Sequence, residues 1–162
     1  MARNPNSRTN TSLRVPANID KQVETMTAQQ LFKYCIGRLA WQGCQSINDQ
    51  ICAYRGVDIS GRVVGCPVGH LIPQRLYDPT CESNTVAVLV DRPSFAYMRE
   101  HAKLLVALQR LHDQGIWWSS WYQLSSKIES IADEFELDMK DVAKEMNRFE
   151  KKFAEYKELL TK

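Results

Sequence analysis

The sequence has no long apolar stretch. No run of about 18 apolar residues occurs in the 162-residue chain, so no membrane-spanning helix is expected. The first 25 residues are polar and lack the apolar centre of a secretory signal peptide, so we expect a cytoplasmic protein. In that compartment the five cysteines are expected to be buried thiols, metal ligands or nucleophiles rather than disulfides.

An excess of either charge is also lacking. The 21 Lys and Arg residues nearly balance the 19 Asp and Glu residues, which leaves a net charge of +2. Binding to a phosphate backbone favours a much larger basic excess, so nucleic-acid binding is not indicated. The content of 25% charged and 44% apolar residues is typical of a folded globular protein. The length fits one domain with its own core.

Common enzyme motifs are missing as well. The chain contains no phosphate-binding glycine loop, no HExxH, no GxSxG and no paired-carboxylate pattern, and each of these is a signature of a known reaction class. A non-enzymatic role is therefore favoured.

Helical periodicity dominates what is present. Thr27 and Gln30 form a capping-box pattern, which opens a predicted helix that runs to about Gly43. Further helices are predicted from Ser94 to His112, and from Ser119 or Ser120 to Phe135. Residues 85–90 are predicted to form either a short strand or a helical turn; their β-branched content favours the strand, and periodicity does not decide.

Glycine and proline concentrate in one stretch. The 22 residues from Cys52 to Pro73 hold four of the seven glycines and two of the five cysteines. Short strands are predicted at Ile51–Arg55 and Arg62–Val64, joined by a hairpin loop. A short helix is predicted at Val68–Ile72. The predicted fold is therefore mainly α (α+β), a helical domain with a small β-hairpin insert.

The two ends of the chain differ from the middle. Residues 1–25 are predicted to be a flexible arm because they contain few large apolar side chains. Residues 26–137 form the predicted helical core domain, with the hairpin at 51–73. Residues 138–162 are predicted to be a protruding amphipathic helix with heptad spacing.

The C-terminal heptads indicate a narrow apolar face. It is internal packing in one interpretation and a surface for self-association or for a partner protein in the other. The Trp117-Trp118 pair either anchors the next helix to the core or forms an exposed binding surface. The candidate partner-binding residues are Val142, Met146, Phe149, Phe153, Tyr156, Leu160, Trp117 and Trp118.

Two thiols and two imidazoles form a candidate metal site. Zinc is bound by sets of this composition, if the helix that ends at His112 packs against the hairpin. The alternative is that the thiols lie in the core and the histidines donate to neighbouring acceptors. The candidate ligands are Cys52, Cys66, His70 and His112.

The same residues are the weak catalytic candidates. Cys66 would be the nucleophile, with either His70 as base or His112 as base and Asp113 as its orienting partner. Against the second arrangement, neighbours on a helix do not face each other. Arg55 is predicted to be buried and paired with Asp78 or Asp113; an exposed Arg55 would instead bind an anion.

Four motifs carry a resemblance to a known family. They are C-A-Y-R-G (52–56), G-C-P-V-G-H-L-I-P (65–73), Y-D-P (77–79) and L-x-x-L-Q-x-L-H-D (105–113). Over residues 27–137 the chain resembles small, uncharacterised proteins of phages, prophages and bacteria, from whose pattern it departs at Glu82-Ser83. In that family Cys or His stands at the position of His70, which fits a metal ligand.

The resemblance implies a phage-encoded origin. The expected function is that of a small intracellular interaction protein that binds a host or phage protein and modulates it, in host takeover, anti-defence or assembly. The alternative is an enzyme or nucleotide-binding protein that uses Cys66, His70 and His112.

Overall fold

The protein is built mainly from α-helices. The structure, a computed structural model, describes residues 13–162. Within these residues it contains six α-helices: α1 (Ile19–Thr25), α2 (Ala28–Gln42), α3 (Val86–Leu89), α4 (Ala102–Asp113), α5 (Trp121–Glu134) and α6 (Ala143–Leu160). A small antiparallel sheet between α2 and α3 has the order β2-β1-β3-β4. Its strands are β1 (Ile47–Asn48), β2 (Ile51–Cys52), β3 (Arg55–Val57) and β4 (Val63–Gly65). The predicted mainly α (α+β) class is confirmed.

The sheet contains two hairpins where one was predicted. The expected strand Ile51–Arg55 is divided between β2 and β3, and β2 pairs back onto β1. Asp49 and Gln50 connect β1 to β2 with φ angles of 48° and 66°. A two-residue turn with both φ angles positive favours Asn, Asp or Gly first and Gly second. Asp49 fits this preference but Gln50 does not, so the first hairpin has only half of the usual signature.

The helix boundaries follow their capping residues. Thr27 and Gln30 make both hydrogen bonds of the predicted capping box, and α2 ends at Gly43 in the left-handed conformation with φ 70°. Ser120 accepts a hydrogen bond from the Gln123 amide at the start of α5. The predicted helix from Ser94 begins instead as a 3-10 segment, Pro93–His101, which continues into α4.

Of the two alternatives for residues 85–90, the favoured strand is wrong and the helical turn is correct. This segment forms α3, in which Val86 and Leu89 are fully buried. Three-residue spacing places both side chains on one face of a helix. The Val86 amide also donates to the Gln109 side chain over 2.9 Å. Burial of one helical face therefore outweighs the strand preference of the β-branched residues.

The flexible-arm prediction is wrong for residues 13–25; residues 1–12 lie outside the described part of the chain. Leu13, Ile19 and Val23 are buried, the last two in α1. Asp20 forms an ion pair of 2.6 Å with Arg75. Two apolar residues four positions apart are enough to fix one turn of helix on an existing core.

The C-terminal helix lies against the core domain rather than protruding from it. Its aromatic residue Phe149 is fully buried and packs against Trp118 and Trp121, with ring centroids 5.8 and 5.4 Å away. A side chain on Gly43, at the end of α2, would lie 2.7 Å from the carbonyl oxygen of Lys152. Helices α2 and α6 therefore approach closely, and α6 belongs to the same core.

Within residues 13–162 no helix combines the length and the apolar character needed to cross a membrane.

Candidate functional site

The motif residues converge on one hydrogen-bonded junction between the sheet and α4. The Tyr54 hydroxyl donates to the Asn84 carbonyl over 2.7 Å and accepts from the Gln109 side chain over 3.1 Å. The Gln109 oxygen in turn accepts from the Val86 amide. These bonds connect the C-A-Y-R-G motif directly to the L-Q-x-L-H-D motif, and they connect α3 to both.

Glu82 organises the other side of the junction. Its carboxylate accepts hydrogen bonds from the backbone amides of Tyr54 and Arg55 at 2.8 and 3.0 Å, and from the Tyr77 hydroxyl at 2.6 Å. Three donors satisfy this partly buried carboxylate well. No motif of the sequence indicated this role for Glu82.

A small polar cavity lies at the junction. Its volume is about 170 Å³, and it is lined by Cys52, Ala53, Tyr54, Cys66, Glu82, Ser83, Asn84, Thr85, Gln109 and Asp113. This volume holds a few water molecules rather than a nucleotide. The chemistry of the cavity therefore depends on its thiols and on the histidines nearby.

The predicted four-residue zinc set is not assembled. Among residues 13–162, the only three potential ligands whose atoms lie within 4.8 Å of one another are Cys52, His112 and Asp113. His112 accepts a hydrogen bond from the Ser46 amide at Nε2 over 2.8 Å, and its Nδ1 lies 3.0 Å from Asp113 Oδ1. The lone pair that would bind a metal is therefore already used. His112 connects α4 to the sheet.

His70 is likewise engaged at both ring nitrogens. Nδ1 accepts from Arg38 Nε over 3.2 Å, and Nε2 lies 3.0 Å from the Gln42 side-chain oxygen. This arrangement leaves no free lone pair for a metal or for a proton from Cys66. Burial, followed by the positive charge of Arg38, holds the pKa of His70 well below its usual value of 6.5. His70 is therefore a neutral link within the core.

The neutral state of His70 predicts a loss of stability in mild acid. The unfolded chain binds a proton at this ring near pH 6.5, whereas the folded protein does not. Protonation therefore favours the unfolded chain, so the stability that the neutral ring contributes is present above that pH and is lost as pH falls below it. We expect the free energy of unfolding to fall by about 1 kcal/mol between about pH 7.5 and 5.5. Urea unfolding at both pH values measures this. NMR of the His70 ring is the direct check, and a titration midpoint near the usual value would contradict the assignment.

Cys66 is not an activated nucleophile. Its side chain is 2% exposed, and burial raises the pKa of the thiol well above its usual value, despite a hydrogen bond of 3.3 Å from the Gly69 amide to the sulfur. The bond between His112 and Asp113 does form, although the two are neighbours on α4. The catalytic arrangement still fails, because Nε2 of His112 is held by the Ser46 amide.

Cys52 is the one half-buried thiol, and its expected reactivity is low. Burial, followed by Asp113, raises the pKa of Cys52 to about 11. We expect iodoacetamide at neutral pH to label this residue more than about 10-fold more slowly than free cysteine. The other four thiols are buried and should react only after unfolding. Mass spectrometry of the labelled native protein tests this, with Cys52→Ser as the unlabelled control; labelling of two or more sites would contradict it.

Arg55 pairs with neither predicted acid. Its guanidinium donates to the Gln74 side chain and to the Ile72 carbonyl, and it stacks at 3.9 Å on the Tyr77 ring. The expected pairing with Asp78 or Asp113 is therefore corrected.

Most of the predicted partner-binding residues are internal. Four are buried and pack within the core: Val142, Phe149, Phe153 and Trp118. Met146, Tyr156 and Trp117 are partly buried, and Leu160 is 52% exposed. The apolar face of α6 is therefore largely covered by its own chain, as in the internal-packing interpretation of the heptads.

An open groove lies between α3, α4 and α5. Its volume is about 620 Å³, within the range of ligand-binding sites. The apolar lining consists of Ala87, Val90, Ala102, Val106, Ala107, Ile131 and Phe135. Three of the helical positions that line it carry alanine, which lets another backbone approach closely.

The rim of this groove is positively charged. Lys103, Arg110 and Lys127 line it together with a single acid, Glu134. Within residues 13–162, none of the three cations forms an ion pair, and residues 1–12 contain no Asp or Glu. Lys127 also lies 5.4 Å from the ring of the half-buried Trp117. Hydrophobic periodicity did not indicate this groove, because most of the residues that line it lie beside the buried faces of the helices rather than on them.

Comparisons with protein-family models, with curated proteins and with solved structures yielded no match.

Proposed function

We propose that the protein acts by binding another protein and that the groove between α3, α4 and α5 receives an acidic amphipathic helix of that partner. The observation that supports this most is the combination of an apolar floor with three cations that have no ion-pair partner in residues 13–162. An amphipathic helix buries its apolar face in such a groove. Its flanking Asp and Glu residues would meet the positive rim.

A partner protein fits this groove better than a second copy of the chain. A second copy would have to offer an acidic helix with a free apolar face. In the described helices of this protein, such as α6, the apolar face beside the acidic residues is already buried. Among residues 13–162, the exposed large apolar residues do not form a helical stripe; they are Ile47, Ile51, Val57, Ile59, Val88, Ile116, Tyr122, Leu159 and Leu160. The acidic helix is therefore expected to come from a different protein.

The alternative of an enzyme or nucleotide-binding protein has less support. Both histidines that it requires have their lone pairs occupied, and Cys66 is a buried, protonated thiol. A modulating role in a phage or its host remains a prediction from the resemblance.

Fluorescent model helices test the proposed function. Two peptides of about four helical turns would share one apolar face and carry either glutamate or lysine beside it. We expect saturable binding of the acidic peptide, measured by fluorescence anisotropy, with at least about 10-fold weaker binding of the basic one. The affinity for the acidic peptide should fall as salt is added.

Matched variants locate this binding. Ala107→Trp fills the groove and should abolish it, whereas Lys103→Glu combined with Lys127→Glu should reverse the preference between the two peptides. Lys144→Glu, an exposed site on α6, is the control and should change little. Equal binding of both peptides, or binding unaffected by Ala107→Trp, would overturn the proposal. Binding of oleate by a protein that binds neither peptide would overturn it too, because the groove would then be a fatty-acid site.

A further inference from the structure

Arg55 is a buried cation whose direct partners are neutral. The side chain is 8% exposed, and its guanidinium donates to the Gln74 oxygen and, over 2.8 Å, to the Ile72 carbonyl. Its Nε has no hydrogen-bond partner among the described residues. The Glu82 carboxylate makes no hydrogen bond to the Arg55 guanidinium, because it already accepts from two backbone amides and the Tyr77 hydroxyl. Glu82 therefore acts on the charge of Arg55 only by electrostatic attraction at a distance. A buried charge without an ion-pair partner is costly.

The guanidinium forms part of the wall of an open pocket. This Arg55 pocket has a volume of about 350 Å³ and is lined by Asn48, Arg55, Gly56, Val57, Val63, Gln74 and Tyr77. The Tyr77 ring holds the plane of the guanidinium at 3.9 Å. The side-chain amides of Asn48 and Gln74 offer neutral donors, and the two valines form an apolar wall. None of these lining residues is acidic.

We propose that the Arg55 pocket binds a small organic molecule that carries a carboxylate or phosphate group. A guanidinium offers paired N–H donors whose spacing matches the oxygens of both groups. A buried guanidinium whose hydrogen-bond acceptors are all neutral would be stabilised by an anion bound beside it. The apolar wall accommodates a short carbon chain. This pocket shares no lining residue with the groove, so the inference is independent of the proposed protein partner.

NMR titration of the full chain tests this inference. Inorganic phosphate and butyrate would be added separately to ¹⁵N-labelled protein, at constant ionic strength set with chloride. We expect saturable shifts with a Kd of about 1 mM or below, confined to the amides of β3 and of residues 72–77. The relative affinities of the two probes distinguish a phosphate ligand from a carboxylate ligand.

Two variants make the inference falsifiable even if one of them folds poorly. Arg55→Lys keeps the charge but loses the paired donors, and it should weaken binding at least about 10-fold; Arg148→Lys, at an exposed site on α6, is the matched control. Val57→Trp leaves Arg55 in place and fills the pocket from a position that is 52% exposed. Shifts that do not saturate, that chloride reproduces, or that survive both Arg55→Lys and Val57→Trp would refute the site.

Discussion

Replacing Gly69 by alanine is expected to lower the free energy of unfolding by at least about 3 kcal/mol. A Cβ atom at this position would lie 1.9 Å from the carbonyl oxygen of Tyr54 and 2.8 Å from its carbonyl carbon. Both are backbone atoms, so no side-chain rotation relieves the overlap. The Tyr54 segment would have to move, which would disturb the hydrogen bond of 2.8 Å that the Tyr54 amide donates to the Glu82 carboxylate.

Urea unfolding followed by tryptophan fluorescence measures this effect. The control is Gly115→Ala, because a Cβ at Gly115 would have no atom within 4 Å, and its stability should change by less than about 0.5 kcal/mol. Equal stability of the two variants would show that the turn at residues 66–71 does not pack on Tyr54. The expected difference therefore reports directly on the junction of the motifs.

Phe149→Ala is expected to destabilise the protein by about 3–5 kcal/mol. Phe149 is fully buried between Trp118 and Trp121, so its removal leaves a cavity that two large rings cannot fill. If the heptad face of α6 were instead a free surface, the loss would be small and the oligomeric state would change. Unfolding measurements together with analytical ultracentrifugation separate these outcomes.

Leu160→Ala is the matched control on the same helix. Its side chain is 52% exposed near the end of α6, and we expect a change within about 0.5 kcal/mol. A similar loss for Phe149→Ala and Leu160→Ala would contradict the placement of α6 against the core.

Cys66, His70 and His112, the candidate reactive residues of the sequence, have structural roles in the folded protein for a clear physical reason. Cysteine and histidine in a glycine-rich stretch are compatible with zinc, with catalysis and with a core, because composition does not show which lone pairs are already used. The Ser46 amide at His112, and Arg38 at His70, decide the matter. Each partner is distant in sequence from its histidine, by 66 residues for Ser46 and by 32 for Arg38. Only the folded chain brings them within hydrogen-bond distance.

The sequence alone determined the features that depend on neighbouring residues. The capping box at Thr27, the end of α2 at Gly43 and the cap of α5 at Ser120 were all predicted, because a cap is made within one helical turn. The mainly α class followed from the same local periodicity.

Tertiary structure alone decided the features that depend on contacts distant in sequence. It placed α1 and α6 on the core, converted the predicted strand at residues 85–90 into α3, and left Arg55 with neutral partners. It also formed the positively rimmed groove from α3, α4 and α5. Periodicity shows that a helical face is apolar, but it does not show which surface covers that face, since burial depends on packing between distant segments.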